Sequence, residues 1–289
     1  MTAPLVEQLS TDGYALASGL FSNHELEQTR VELDRLIAAA PPTSNATDRG
    51  GDSIVPPEDY SFAEESGERI LSRISRQLRH SSWMRILYGN PALLNLVESV
   101  YGPEFVPFGE SIIVKFPGNG AEIPYHQDGK QNYHLKDRGI NVGFYLHNAD
   151  ESNGCLRVIP GSHRKGLVDV HALRDAHYPI LPGSVPLRVN AGECSIHDRS
   201  LIHGSLPNTS PDLRITVYFG YHKLDSVQGI HSADHIRRRA QVISLCIHER
   251  EASSLFPDET PYTYALANTA SLPPETERDE VLSTPPLTI

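Results

Sequence analysis

Two short stretches of this 289-residue chain carry side chains able to hold a metal ion. In Tyr125-His126-Gln127-Asp128 an imidazole and a carboxylate stand two residues apart. If the chain is extended there, the period of two puts both on one face, about 6.6 Å apart at Cα. An H-x-D alone occurs often, and in a turn its aspartate would simply cap backbone amides. A third donor gives it weight: His203 lies 77 residues downstream, in GECSIHDRSLIHGSLPNTSPDLR (192–214), and is followed at once by Gly204 and Ser205. Two neutral imidazoles and one carboxylate on one face of an ion leave three positions open, the arrangement of non-haem iron(II) oxygenases. Zinc accepts the same donors tetrahedrally and competes. Most of the 14 histidines must be ordinary hydrogen-bonded residues. His197, six residues before His203, is read as structural or as a support to a ligand, as are His147 and His163.

Arg214 bears on the choice of metal. It falls 11 residues after His203, in a strand-like run that is otherwise apolar (Leu213, Ile215, Val217, Phe219). Pointing outward it would be an ordinary surface arginine. Pointing inward it needs an anion, and its planar fork matches a carboxylate bidentately. A dicarboxylate cosubstrate would meet that need.

The segments HQD (126–128), NGCLRVIPGSH (153–163) and GECSIHDRSLIHGS (192–205), followed by Arg214, resemble the phytanoyl-CoA dioxygenase family of 2-oxoglutarate oxygenases. DGYALASGLFSNHELEQ (12–28) is similar to that family's opening strand and helix, so the likeness spans about residues 10–222. The resemblance implies that His126, Asp128 and His203 hold iron(II), that 2-oxoglutarate and O2 are cosubstrates, and that Arg214 with Ser205 clasps the far carboxylate of 2-oxoglutarate. It also places Arg73, Ser111, Asn141 and Tyr145 around the same pocket, where packing or polar satisfaction explains these four equally well. Because related halogenases carry a small residue where this chain has Asp128, it implies hydroxylation of a small molecule, as in natural-product pathways. The same cofactors also serve desaturation, epoxidation, rearrangement and stereoinversion. A non-catalytic metal-binding module or a zinc hydrolase stays open as another class, but neither accounts for Arg214.

Positioning such residues calls for a scaffold of strands. From about residue 105 short runs rich in Val, Ile, Tyr and Phe (109–117, 140–147, 155–159, 185–189, 192–197, 213–221) are punctuated by Gly, Pro, Asn and Asp. Many short strands with no helices alternating between them predict a mainly β fold, a double-stranded β-helix or cupin-like jelly roll. Ahead of it, residues 13–20 read as a strand, and the S-x-x-E box of Ser22 and Glu25 opens a helix ended by Pro41-Pro42. Asn90, Pro91 and Gly102 bracket a second helix. Residues 39–70, polar and rich in Gly and Pro, read as a loop or lid, and 260–289 as a polar tail on one domain spanning the whole chain.

The composition narrows the partners. With 25 Lys+Arg against 36 Asp+Glu, the net charge of −11 opposes both nucleic acid and an anionic membrane. Neither a signal-like start nor an apolar run of the roughly 18 residues a span requires is visible, so a cytoplasmic protein acting on a small molecule is expected. Cys155, Cys194 and Cys246 match no disulfide framework or zinc pair and read as buried thiols.

Overall fold

The structure, a computed structural model, describes residues 2–41, 57–65, 67–118, 120–128 and 139–288. Its strands are Tyr14–Ala17 (β1), Tyr60–Glu65 (β2), Glu68–Ser75 (β3), Phe105–Lys115 (β4), Ile123–His126 (β5), Gly139–Tyr145 (β6), Arg157–Val158 (β7), Val185–Pro186 (β8), Cys194–Asp198 (β9), His203–Ser205 (β10) and Arg214–Lys223 (β11). Helices cover Thr2–Asp12 (α1), Asn23–Ala38 (α2), Gln77–His80 (α3), Ser82–Tyr88 (α4), Pro91–Tyr101 (α5), Val170–His177 (α6), Leu224–Val227 (α7), Ala233–Ala252 (α8) and Arg278–Leu282 (α9). The strands form two antiparallel sheets, a seven-stranded one in the order β1-β9-β6-β11-β4-β3-β2 and a four-stranded one in the order β5-β10-β7-β8. This is the expected jelly roll with helices at its N-terminal side.

Alternation along the central strands sorts their side chains. On β11, Ile215, Val217, Phe219 and Tyr221 enter the main apolar core together with Leu87 and Tyr88 of α4 and Val242, Ile243 and Cys246 of α8. Arg214 and Tyr218, on the opposite face, line a cavity. Each fully buried Leu, Ile, Val or Phe contributes about 1.5–3 kcal/mol, so the helix-facing side carries most of the apolar stabilisation.

The helix boundaries follow their caps. Ser22 Oγ accepts from the Glu25 amide at 3.2 Å and the Glu25 carboxylate accepts from the Ser22 amide at 2.7 Å. Asn90 Oδ1 accepts from the Ala92 and Leu93 amides. Glu25 is more than a cap, because its other oxygen accepts from Asn90 Nδ2 and Arg250 Nη1, both at 2.9 Å. It thereby joins α2, α5 and α8.

Two expectations are corrected. Residues 39–70 are not a loop throughout: β2 and the start of β3 form an antiparallel hairpin that adds two strands to the large sheet. Tyr60 is buried from this hairpin and donates its hydroxyl to the Leu36 carbonyl at 2.8 Å. The polar, Gly- and Pro-rich flank hid the short alternation from a sequence reading, and residues 42–56 of that segment lie outside the described residues. Nor is 260–289 merely a polar tail. Tyr262, Tyr264, Val281, Leu282 and Leu287 are buried in the main core, spaced too irregularly for any periodic signal. α8 also went unread, because its buried face includes the charged Arg239 and Arg250, paired with Glu110 and Glu25.

Candidate metal and cosubstrate site

The two imidazoles are brought together by strand pairing. β5 and β10 run antiparallel with His126 directly opposite His203, and the ring centroids are 4.2 Å apart. Gly204 permits this approach, since a Cβ there would stand 2.8 Å from the Tyr125 amide nitrogen and 2.9 Å from the Ile123 carbonyl. The buried Lys115 ammonium steadies the two strand ends, donating to the carbonyls of Ala121 before β5 and Leu206 after β10. Asp128 follows β5 by two residues, and its amide donates to the Arg199 carbonyl at 2.8 Å.

Both rings are oriented alike. His126 Nδ1 donates to the Pro124 carbonyl and His203 Nδ1 to the Leu201 carbonyl, each at 2.8 Å. A carbonyl only accepts, so the proton sits on Nδ1 and each Nε2 presents a lone pair. One Asp128 oxygen lies 3.4 Å from His126 Nε2, and the other accepts from Asn141 Nδ2 at 2.8 Å. Ligand atoms of His126, Asp128 and His203 all lie within 4.8 Å of one another, the one such cluster among the described residues.

The electrostatics suit a cation. Burial, with a contribution from His126, pushes His203 down to about 4, so it is a neutral donor near pH 7. Burial opposes ionisation of Asp128 too, yet its hydrogen bond with His126, together with His203 and Arg199, holds it well below the usual carboxylate range. His126 moves up, because the Asp128 carboxylate outweighs the effect of burial.

These side chains open on a cavity of about 170 Å³ between the two sheets, lined also by Arg73, Phe108, Ser111, Ile113, Asn141, Tyr218, Ser205 and Arg214. Arg214 is 1% exposed, and its Nε and Nη1 have no hydrogen-bond partner among the described residues. The buried Ser205 hydroxyl has none either. A buried guanidinium without an acceptor is costly unless an anion completes it, and a carboxylate is the acceptor its geometry fits. The donor set and this orphaned fork therefore fit a metal ion with a carboxylate-bearing cosubstrate.

Eight of the nine residues singled out from the sequence line this cavity; Tyr145 does not. It lies buried, 3.5 Å from the Ser195 hydroxyl, and burial raises its phenol pKa against the opposing charge of nearby Arg214. His197, read as a support, faces the cavity with its ring 4.7 Å from that of His203 and Nε2 3.3 Å from Asn141 Nδ2. Three contributors escaped the sequence reading. Tyr218 was legible in principle, four residues beyond Arg214 on the same strand face. Phe108 was not: the register shift opposite Gly220 and Tyr221 makes it the extra residue of a bulge, which breaks the alternation that would have pointed to it. Arg199, whose guanidinium sits 3.8 Å over the Phe108 ring and 3.9 Å from an Asp128 oxygen, gave no signal within the HDRS run.

Several dioxygenases resemble this chain. The chain is 23% identical over 256 residues to an ectoine dioxygenase of Stutzerimonas stutzeri (strain A1501), covering 78% of each protein. It is 25% identical over 234 residues to a probable alpha-ketoglutarate-dependent hypophosphite dioxygenase of Stutzerimonas stutzeri, covering 74% of this chain and 76% of that one. Among solved structures, AviO1 from Streptomyces viridochromogenes Tue57 superposes with a TM-score of 0.61 at 27% identity, over 77% of this chain and 95% of AviO1. The signature of the family described as phytanoyl-CoA dioxygenase (PhyH) matches residues 9–216, a span that takes in His126, Asp128, His203 and Arg214, and the chain belongs to that family of dioxygenases.

Proposed function

We propose that this enzyme hydroxylates a small molecule using iron(II), 2-oxoglutarate and O2, with His126, Asp128 and His203 as the iron ligands. The observation that carries the reading is the orphaned Arg214 guanidinium on the wall of the cavity that the His-Asp-His cluster faces. A zinc hydrolase would leave this cation unexplained. When bound, iron and 2-oxoglutarate supply activation of O2, with 2-oxoglutarate converted to succinate and carbon dioxide and one oxygen atom delivered to the substrate.

The chain's own residues do the positioning. His126 and His203, with Nδ1 protons fixed on carbonyls, offer Nε2 lone pairs without rotating. Asn141 holds one Asp128 oxygen and leaves the other toward the imidazoles. Arg214 and Ser205 take the far carboxylate of 2-oxoglutarate, which sets how deep the cosubstrate sits. Ser111 and Asn141 border its path, Tyr145 lies close enough to feel the Arg214 charge, and Arg73 stands at the exposed rim. Phe108, Ile113, Ile123 and Leu156 supply apolar walls that keep water from the reacting centre.

The test is anaerobic titration of metal-free protein with Fe(II) and 2-oxoglutarate, separately and together. A visible absorption band that requires both, followed by succinate release when O2 is admitted, is expected. Protein that gives no such band and keeps zinc through purification would refute the reading.

A further inference from the structure

The chain after the family match ends returns to the site. Side chains of α8 and of the turn before it hold the carbonyls of three of the five residues 284–288, and His222 of β11 stands beside a fourth. Arg239 Nη1 donates to Thr284 at 3.3 Å, His235 Nε2 to Pro285 at 2.8 Å and His231 Nε2 to Thr288 at 3.1 Å, while His222 Nε2 lies 3.1 Å from the Leu287 carbonyl. The Leu287 amide donates to the Phe108 carbonyl at 3.0 Å, and its side chain is fully buried. Pro286 packs over Gly109 so closely that a Cβ there would lie 3.2 Å from it.

Phe108 and His222, the two residues that the Leu287 backbone meets, both touch Arg199 in turn. Its guanidinium lies over the Phe108 ring, and Nη1 is 2.9 Å from the same His222 nitrogen. A guanidinium only donates and a carbonyl only accepts, so His222 Nε2 bonds to one of them at a time, accepting from Arg199 when bare and donating to Leu287 when protonated, and in either state it packs between the two. Arg199 then reaches Asp128 twice, through its carbonyl, which accepts the Asp128 amide, and through Nε, 3.9 Å from the carboxylate.

We infer that residues 284–288 form a positioning strap for the metal centre: through His222 and Phe108 the strap fixes Arg199, and Arg199 fixes the direction of the Asp128 carboxylate. The inference rests on the reading of Asp128 as a ligand. Partners that orient a ligating carboxylate typically change metal affinity about 10–100-fold when removed, and here the last of them lies at the far end of the chain. The strap thus makes metal affinity depend on a segment that touches no ligand.

The experiment is calorimetric titration of the metal-free full chain and its variants with Co(II), below each variant's melting temperature as read by circular dichroism. Wild type and Asp128→Ala set the baseline. Wild type that binds no cobalt, or binds it equally without Asp128, defeats the metal-site reading itself. On a sound baseline, deletion of residues 285–289, His222→Phe and Arg199→Met should each weaken binding about tenfold or more, with Arg199→Lys restoring part of the loss. His235→Ala, which frees the strap at Pro285 away from Arg199, should lower the melting temperature and leave the cobalt Kd unchanged. Folded His222→Phe and Arg199→Met with wild-type Kd overturn the strap, whether or not the deletion folds. A loss in His235→Ala as large as in His222→Phe overturns it as well, since loosening anywhere would then suffice.

Discussion

Arg214 matters most at this site, because its buried fork finds no partner at Nε or Nη1 among the described residues. Truncating it removes a charge-assisted contact of about 1.5–3 kcal/mol, so Arg214→Met should raise the 2-oxoglutarate KM about 10–100-fold, measured by succinate formation, while the fold persists. An unchanged KM would assign the clasp to another residue. The buried imidazoles make a second prediction. Burial, reinforced by His203, pushes His197 down to about 3, and burial with His126 pushes His203 down to about 4. In the unfolded chain both take up protons near pH 6.5. The unfolded state therefore binds more protons between those values, and stability is complete above about pH 7 and lost as pH falls from about 6.5 toward 4. Asp128, held low, adds a loss at more acid pH, whereas His126, moved up, works in the opposite direction. Thermal melts of metal-free protein should thus fall in midpoint from pH 7 to pH 5, and a flat profile would contradict the burial of these rings. His126, Asp128, His203 and Arg214 were legible because chemistry of this kind demands particular residue types at particular spacings. Tyr218 and Arg199 were not chosen because tyrosine and arginine have many ordinary uses, and only the neighbours acquired on folding distinguish these two.

At the scale of elements, the cross-strand pairing of β5 with β10 is the device that turns two distant motifs into one site. Its tightest point is Gly204, where a side chain would strike the backbone of Tyr125 and Ile123 rather than a movable group. Gly204→Ala should cost about 1–3 kcal/mol of overpacking and separate His203 from His126. Its melting temperature and metal affinity should therefore fall together, and an alanine variant that keeps both would show that the strands have room to spare. Sequence patterns reached the long central strands and the capped helices α2 and α5, whose signals are local. They missed β10 and the β2–β3 hairpin, which are short and owe their extension to neighbours in the sheet, and reached β5 only as an extended run around His126. The S-x-x-E box was read as a helix start, but only the folded chain reveals Glu25 as the junction of three helices.

For the whole molecule, the sheets divide the labour: one side of the large sheet packs against helices and the C-terminal residues, while the other encloses the cavity. No helix among the described residues is long and apolar enough to cross a membrane. Cys155, Cys194 and Cys246 are free and buried, and burial pushes the Cys155 thiol up to about 11 and the other two up as well. At pH 8 the native protein should therefore resist iodoacetamide and take up three labels only after denaturation, as mass spectrometry would count; rapid native labelling would mean that the core opens readily. The jelly roll was legible from the rhythm of short strands, whereas the return of residues 262–287 into the core was not, since scattered apolar residues carry no period. The two-faced β11 has a further consequence for how such a chain can diverge. Arg214 and Tyr218 can be exchanged over generations to suit new chemistry without disturbing Ile215, Val217 and Phe219, because the two sets never share a surface. Gain or loss of one residue within the strand would trade the sets, turning a guanidinium into the core and an isoleucine into the site. Innovation in this lineage must then come by substitution within its strands, with changes of length confined to the connections between them.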